Sequence, residues 1–295
     1  MIVRNDLDGV LLFDKKTGLN VLLDENKPSK VDLAPRHVSI ALTENCNLMC
    51  NQCYINHSSR SLNYEDVISW TDALYENGCL SIGLGGGEPT LWYKCLDIVS
   101  YINTTQMAVT LTTNGSASVD FYCKLLHKAS VVRFSLDGLN DVYESRRKQN
   151  YNDIIKKIIF LKDEGRIGLN YLLTDESVFQ LREFEDVVSL VHPSEILLIP
   201  FLDKNGEYFL SKSSQEIVRQ WVRKNKDCLP LCGSYSCLGF LQEDVLPTQN
   251  FELKKQHYYF LHINAKKQLM RNVFDKQSID IGENFINSLQ TYRRS

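Results

Sequence analysis

The chain has 295 residues, 43% of them hydrophobic and 23% charged, a composition typical of a soluble globular protein with one full α/β domain and appendages. Its net charge of −3 excludes a general attraction to nucleic-acid phosphates, and no run reaches the roughly 18 apolar residues that a membrane helix needs. The first residues lack the apolar centre of a signal peptide, and nine cysteines suit a reducing compartment. We therefore expect a cytoplasmic protein that binds neither nucleic acid nor membrane.

Residues 1–36 predict an appendage in front of the main domain. Two short β-prone runs, 9–14 and 19–23, are joined by Lys15-Lys16-Thr17-Gly18, which has the turn chemistry of a β-hairpin. We expect such a hairpin here. A simple N-terminal edge is the alternative.

From residue 37 to residue 200, apolar strand-like runs alternate with helical periods. This order predicts repeated βα units with a parallel sheet. In such folds the carboxyl ends of the strands hold the functional site. Strands are expected at 37–42, 80–84, 108–112, 131–136, 168–173 and 196–200.

A cysteine triplet follows the first predicted strand. Cys46, Cys50 and Cys53 are spaced C-x3-C-x2-C, too close for separate core contacts and too many for one disulfide. A [4Fe-4S] cluster is usually held by four cysteines, so three would leave one iron open to an outside ligand. Zinc with His57 as a fourth ligand is the alternative, although structural zinc sites normally pair their ligands differently.

The second predicted strand ends in Gly85-Gly86-Gly87-Glu88-Pro89. Because glycine has no Cβ, a ligand can approach the backbone closely at this tip. We expect Gly86→Val to weaken ligand binding there while the cluster still assembles.

The two motifs, in this order and at this separation, resemble those of the radical SAM superfamily. The resemblance implies a partial (β/α)6 barrel over residues 37–200, with a [4Fe-4S] cluster on the triplet. S-adenosylmethionine (SAM) would chelate the open iron, and Gly85, Gly86, Gly87 and Glu88 would meet its methionine end. The enzyme would cleave SAM reductively to a 5′-deoxyadenosyl radical that abstracts hydrogen from a substrate. An electron donor such as flavodoxin or ferredoxin is implied.

The resemblance also implies cofactor contacts at the other strand ends. Arg147 is expected to bind the SAM carboxylate, since a guanidinium can donate two parallel hydrogen bonds to it. Tyr54 is expected against the adenine. Gln52 departs from the family, where an aromatic residue more often precedes the third cysteine. Further expected contacts are Asn114, Ser135, Asp137 and Asn170.

Residues 201–295 predict a small C-terminal extension. Cys228, Cys232 and Cys237 resemble the start of the SPASM or twitch extensions that hold auxiliary clusters, but the hairpin-like segment 258–273 lacks the further cysteines usual there. We expect the triplet to bind a second cluster, which would bring the iron content to about eight per chain. A catalytic thiol hydrogen donor or a metal-free remnant is the alternative.

The resemblance favours a ribosomally synthesised peptide as substrate, with maturation by crosslinking or epimerisation. The alternative is a small molecule such as a nucleoside, sugar or cofactor precursor. A non-catalytic iron–sulfur or zinc-binding protein is disfavoured, because neither needs the glycine-rich strand end.

Overall fold

A ten-stranded sheet forms the centre of the computed structural model, which describes residues 1–24, 28–202, 209–234, 237–241 and 256–294. Its strand order is β10-β9-β8-β7-β6-β5-β4-β11-β12-β13, and a separate sheet has the order β1-β2-β3. The strands are β1 Ile2–Asp6, β2 Gly9–Phe13, β3 Asn20–Leu23, β4 His37–Thr43, β5 Ser81–Gly86, β6 Ala108–Thr113, β7 Val131–Leu136, β8 Ile167–Leu173, β9 Glu195–Pro200, β10 Leu231–Gly233, β11 Phe260–Ile263, β12 Gln268–Met270 and β13 Ile279–Asp280.

Helices follow most of the parallel strands. They are α1 Tyr64–Glu76, α2 Cys95–Thr104, α3 Val119–Leu126, α4 Asn140–Arg147, α5 Tyr151–Leu161, α6 Leu181–Val191, α7 Lys212–Asn225, α8 Leu238–Leu241, α9 Gln256–Tyr259 and α10 Phe285–Arg294, with short 3-10 helices at Pro89–Leu91 and Ser177–Gln180. The predicted α/β fold with a partial barrel is confirmed: β4 to β9 are parallel and in sequence order.

Alternation along each strand separates the core from the barrel interior. In β4, Val38, Ile40 and Leu42 are fully buried in the main hydrophobic core. His37 and Ser39 lie on the opposite face of β4 and line the interior of the barrel. This alternation follows from the two-residue period of a strand, and it gives the barrel a polar inner wall.

The N-terminal segment packs at the amino ends of the barrel strands. The predicted hairpin is present as β2 and β3, and β1, which the sequence analysis did not predict, pairs with β2. Leu11 and Phe13 pack against Leu80 and Ala108. The small sheet therefore covers the end of the barrel opposite to the carboxyl ends.

Buried charges fasten this sheet to the barrel. The Arg4 guanidinium donates to Asp6 at 2.8 Å and to the Gly78 carbonyl at 2.5 Å, and Arg36 donates to the same carboxylate at 2.6 Å. Burial would raise the pKa of Asp6, but the two arginines lower it below its ordinary value. The Asp6 carboxylate therefore stays ionised, because its pairing with two arginines compensates for its burial.

Segments after residue 200 extend the barrel at both edges. β10 pairs in parallel with β9, and β11 pairs in parallel with β4, on the opposite side. β11 and β12 form the hairpin predicted within 258–273. The predicted boundary at residue 200 thus falls within a continuous sheet. In the described part of the chain, no helix combines the length and the apolar character needed to span a membrane.

His262 on β11 makes folding stability depend on pH. Its side chain is buried, with Nδ1 3.3 Å from the Ser39 hydroxyl, and burial lowers its pKa to about 4. The unfolded chain takes up a proton near pH 6.5 whereas the folded chain does not, so stability falls as pH drops from about 6.5 to about 4. We expect His262→Gln to reduce this slope by up to about 1.4 kcal/mol per pH unit.

Urea denaturation at a series of pH values measures the slope. His127→Gln, at a side chain that is 61% exposed, is the matched control and should leave the slope nearly unchanged. An equal effect of both substitutions would contradict the assignment to His262.

Candidate active site

The carboxyl ends of the parallel strands surround a cavity of about 880 Å³. It lies where such folds place their functional sites. The structure brings most of the predicted cofactor and cluster residues together here. Those lining the cavity are Cys46, Cys50, Cys53, Tyr54, Gly85, Gly86, Gly87, Asn114, Ser135, Asp137, Arg147 and Asn170.

The N-terminal cysteine triplet sits on the loop after β4, and each thiol is partly buried. The Cys46 sulfur lies 3.4 Å from the backbone N–H of Leu48 and 3.7 Å from Nδ2 of Asn114. Nitrogen donors directed at a sulfur stabilise negative charge on it, as a thiolate bound to iron requires. The donor set therefore fits an iron–sulfur cluster.

Burial and neighbouring side chains surround the other two thiols. Burial raises the pKa of Cys50 to about 11, against the opposing influence of the Arg147 guanidinium. His57 Nε2 lies 3.4 Å from the Cys53 sulfur. Within the described residues, no group of three or more His, Cys, Asp or Glu side chains is arranged to hold a metal ion. In a cubane each cysteine binds a different iron, so its ligands do not converge on one ion.

The glycine-rich end of β5 is fastened to the cysteine loop. Gly87 N–H donates to the Thr43 carbonyl at 2.7 Å, and Glu88 N–H donates to the Asn45 carbonyl at 2.8 Å. A Cβ on Gly86 would run into the Thr43 carbonyl oxygen, and its φ of +122° favours glycine. A Cβ on Gly87 would meet the Asn45 carbonyl oxygen.

Gly85 differs from its two neighbours. A Cβ there would have no atom within 4 Å, because this residue faces the cavity. The reason given for the expected effect of Gly86→Val is therefore corrected. A side chain on Gly86 would collide with the Thr43 backbone and not with a ligand, whereas Gly85 leaves the space that a bound molecule could occupy. This open cradle beside the cysteine loop fits SAM.

Glu88 is fully buried and does not line the cavity. One carboxylate oxygen accepts hydrogen bonds from Thr90 N–H at 3.1 Å and from the hydroxyls of Thr90 and Thr113 at 2.7 Å. The other accepts from Asn114 N–H at 2.7 Å. Its carboxylate thus joins the ends of β5 and β6. The predicted contact between Glu88 and the cofactor stays a prediction, and it would have to be made by the Glu88 backbone because the side chain is buried.

Asp137 and Arg147 bind each other across the end of β7. Arg147 donates from Nε to Asp137 Oδ2 at 2.7 Å and from Nη2 to Oδ1 at 2.9 Å. Burial lowers the pKa of Arg147, but the Asp137 carboxylate more than offsets this and raises it, so the guanidinium stays charged. Their predicted contacts with the cofactor stay predictions, since in this state each group already has a partner.

The remaining predicted contacts occupy three walls of the cavity. Ser135 and Asn170 are register partners on β7 and β8. Asn170 Oδ1 is buried and has no hydrogen-bond partner among the described residues, so it could accept from a ligand. Asn114 Nδ2 donates to Asn47 at 3.0 Å and supports the cysteine loop.

Sequence reasoning missed a polar inner wall deeper in the barrel. His37, Ser39, Thr110, Arg133 and His262 all line the cavity. Polar residues at every second position, as in 37/39, 110/112 and 133/135, were the signal for this wall.

Aromatic side chains form the rim of the cavity. Tyr54, Phe209 and Phe274 are 51%, 62% and 38% exposed. The rings of Tyr54 and Phe274 lie 5.8 Å apart, and those of Phe201 and Phe209 lie 5.3 Å apart. We call these four residues the aromatic rim.

The second cysteine triplet has three different environments, and none of its members lines the cavity. Cys228 is exposed, and Cys232 is partly buried on β10. Cys237 is fully buried, with its thiol donating to the Leu198 carbonyl at 3.1 Å. Burial raises the pKa of Cys237 to about 12. The predicted second cluster and thiol donor are untested, but the burial of Cys237 disfavours a cluster here, because this thiol would first have to leave the core.

The fold and site define an α/β barrel protein with a cysteine-bearing loop and a glycine-rich strand end at one cavity. The family description "Radical SAM superfamily" matches residues 40–188. The chain therefore belongs to the radical SAM superfamily, as its motifs predicted, and it is an enzyme. The family implies a [4Fe-4S] cluster and SAM as cofactors.

Among curated relatives, the subtilosin biosynthesis protein AlbA of Bacillus subtilis is 31% identical over 140 residues, which cover 44% of this chain and 31% of AlbA. A GTP 3′,8-cyclase of Psychromonas ingrahamii is 25% identical over 235 residues, covering 72% of this chain and 65% of that protein. The chain thus matches less than two thirds of the length of either relative.

Among solved structures, Streptococcus suis SuiB bound to its precursor peptide SuiA is similar over 99% of this chain and 87% of SuiB, with a TM-score of 0.78. The sequence identity is 14%, so this similarity concerns the fold.

We expect Gly85→Val to weaken SAM binding at least tenfold while iron content stays that of the parent, because its side chain would enter the cavity without meeting protein. Anaerobic calorimetry with the reconstituted protein measures this affinity. Gly86→Val is the contrasting variant: it should lower iron content, because it displaces the Thr43 backbone before the cysteine loop. Parental SAM affinity in Gly85→Val would remove Gly85 from the binding site.

We expect reconstituted protein to bind about four irons per chain, the content of one cubane. Cys46, Cys50 and Cys53 would hold them, whereas Cys237 would first have to leave the core. Iron analysis of two triple alanine variants tests this: the Cys46/Cys50/Cys53 variant should lose the iron, and the Cys228/Cys232/Cys237 variant should keep it. A parent with about eight irons, halved in the second variant, would instead support the auxiliary cluster.

Proposed function

We propose that this enzyme modifies a ribosomally synthesised peptide, by a crosslink or an epimerisation that begins with hydrogen abstraction. The observation that carries the proposal is the aromatic rim of a large cavity beside the cysteine loop. Exposed aromatic rings scattered singly over a surface are ordinary, whereas a group of them around one cavity marks a binding site and suits the apolar side chains of a polypeptide.

The charges of the cavity support a peptide over a nucleoside triphosphate. Among the described residues lining it, the lysine and arginine side chains are Arg133 and Arg147. Both are ion-paired, with Glu195 and Asp137 respectively. A triphosphate is normally bound by unpaired cations, backbone N–H groups or a metal ion. An uncharged peptide segment needs no such cation.

Two relatives support the same substrate class. AlbA is named for biosynthesis of the bacteriocin subtilosin, and SuiB was solved with a precursor peptide. The GTP 3′,8-cyclase relative keeps a second candidate open, a small-molecule substrate, because its match covers more of this chain than the AlbA match does.

The residues divide the work as follows. A [4Fe-4S] cluster and SAM would supply the chemistry of reductive SAM cleavage to a 5′-deoxyadenosyl radical, with an external electron donor such as flavodoxin or ferredoxin. Cys46, Cys50 and Cys53 would hold the iron, and Gly85 would leave room for the cofactor. The barrel walls and the aromatic rim orient the substrate and exclude water.

The proposal is tested with reconstituted enzyme, SAM, a strong reductant and a short peptide encoded beside the gene. We expect formation of 5′-deoxyadenosine together with a peptide mass change of −2 for a crosslink or 0, with deuterium gained from solvent, for an epimerisation. The Phe209→Ala/Phe274→Ala variant should raise KM for the peptide about tenfold or more and leave peptide-independent SAM cleavage unchanged.

Phe160→Ala is the control for this variant, since Phe160 is an exposed phenyl ring on α5 outside the cavity. It should behave as the parent does. Turnover of GTP in the peptide's absence, with no change in any adjacent peptide, would reject the peptide proposal in favour of the small-molecule candidate.

A further inference from the structure

The two residues between the second and third cysteines of the N-terminal triplet are fastened to α4 and to the end of β7. Asn51 N–H donates to the Arg146 carbonyl, and Asn51 Nδ2 donates to the Ser145 carbonyl, each at 3.3 Å. Gln52 Nε2 donates to Asp137 Oδ2. The loop is therefore held by groups far away in sequence.

The orientation of the Gln52 carboxamide follows from its partner. An ionised carboxylate only accepts hydrogen bonds, so Nε2 and not Oε1 must face Asp137. Arg147 in turn binds both oxygens of Asp137. A bidentate pair fixes the plane of the Asp137 carboxylate, and thereby the position of the oxygen to which Gln52 Nε2 donates.

We propose that Gln52 is a positioning residue that fixes Cys50 and Cys53 through the Asp137–Arg147 ion pair. The ion pair then serves the cluster loop, in addition to any contact with the cofactor. An apolar or aromatic side chain at position 52 could pack in this place but could not be held by Asp137. The inference rests on the cluster being bound by Cys46, Cys50 and Cys53, and holds for either substrate class.

The hydrogen bond from Gln52 to the Asp137–Arg147 ion pair, which we call the clamp, has a measurable consequence for the cluster and its open iron. The directions of the two thiolates set the environment of the irons, and hydrogen bonding near the sulfurs tunes the reduction potential. If Gln52 loses its anchor, the segment Cys50–Cys53 gains conformations. The cluster should then have a less uniform environment, and SAM should bind more weakly.

Four variants of the full chain test the proposal after anaerobic reconstitution. Gln52→Met keeps side-chain length but cannot donate, and Gln52→Glu sets a second carboxylate against Asp137. Both should broaden the electron paramagnetic resonance signal of the reduced cluster, shift its midpoint potential and weaken SAM binding about tenfold or more, as measured by calorimetry.

The exchange variant Gln52→Glu/Asp137→Asn reverses donor and acceptor. The amide introduced at position 137 would donate to the carboxylate introduced at position 52 and keep its oxygen for Arg147 Nη2, while Arg147 Nε, which shares Asp137 Oδ2 with Gln52 in the parent, would turn to the new carboxylate. We expect it to recover much of the parental signal and SAM affinity. Asp141→Asn is the charge-matched control and should match the parent. Asp141 is an exposed carboxylate in the first turn of α4, the helix that carries Arg147.

Melting of the iron-free proteins shows whether a variant still folds. If Gln52→Met loses iron as well, recovery of iron in the exchange variant supports the proposal and failure to recover rejects it. A parental signal, potential and SAM affinity in Gln52→Met would overturn it, since Gln52 would then only fill space. Normal iron loading with absent SAM cleavage would instead reject the proposed function and leave the clamp intact.

Discussion

The close approach of two backbones at the ends of β4 and β5 is the constraint on which the rest of the site depends. Gly86 and Gly87 leave room for the carbonyl oxygens of Thr43 and Asn45, and hydrogen bonds to those oxygens hold the strands together. Any side chain there would force apart the strand that carries the cysteine loop and the strand that borders the open cradle. The predicted cluster and cofactor sites therefore depend on one shared backbone contact.

Glu88 extends this contact to the next strand. A fully buried carboxylate would destabilise the fold if its oxygens lacked donors. Here both oxygens accept hydrogen bonds, and the donors belong to the turn after β5 and to the end of β6. Glu88, the acidic residue of the glycine-rich motif, thus connects the two strand ends and holds Asn114 beside the Cys46 sulfur.

Much of the fold could be predicted from sequence because each βα unit carries a local signal. The strand predicted at 131–136 is the observed β7, since an apolar run is bounded there by a helix end and a turn. β10 carried no comparable signal, because it is only three residues long. β11 was predicted as part of a hairpin, but its parallel pairing with β4 was not, because that pairing depends on a barrel edge formed elsewhere in the chain. No sequence signal indicated the helix α4, because Tyr143 is its one buried residue and no regular spacing of apolar residues marks it.

The site could be predicted to the level of the strand ends, but not to the level of individual roles. Sequence alone could not tell which of three consecutive glycines has open space where a Cβ would stand, because this depends on the direction in which each Cβ would point. Likewise, the spacing of Asp137 and Arg147 gave no sign that they bind each other. Charged groups near one strand end can contact a ligand or one another, and only their positions decide.

The pairing of β11 with β4 has a consequence for the order of assembly. The strand that carries the cysteine loop stays open on one side until Phe260 reaches His37, which requires that all the strands from β4 to β10 have been synthesised. A growing chain therefore presents an unpaired strand edge next to three free thiols, which is a state prone to aggregation and oxidation. The predicted cluster ligands are thus made early, but the sheet edge beside them closes only when β11 has been made.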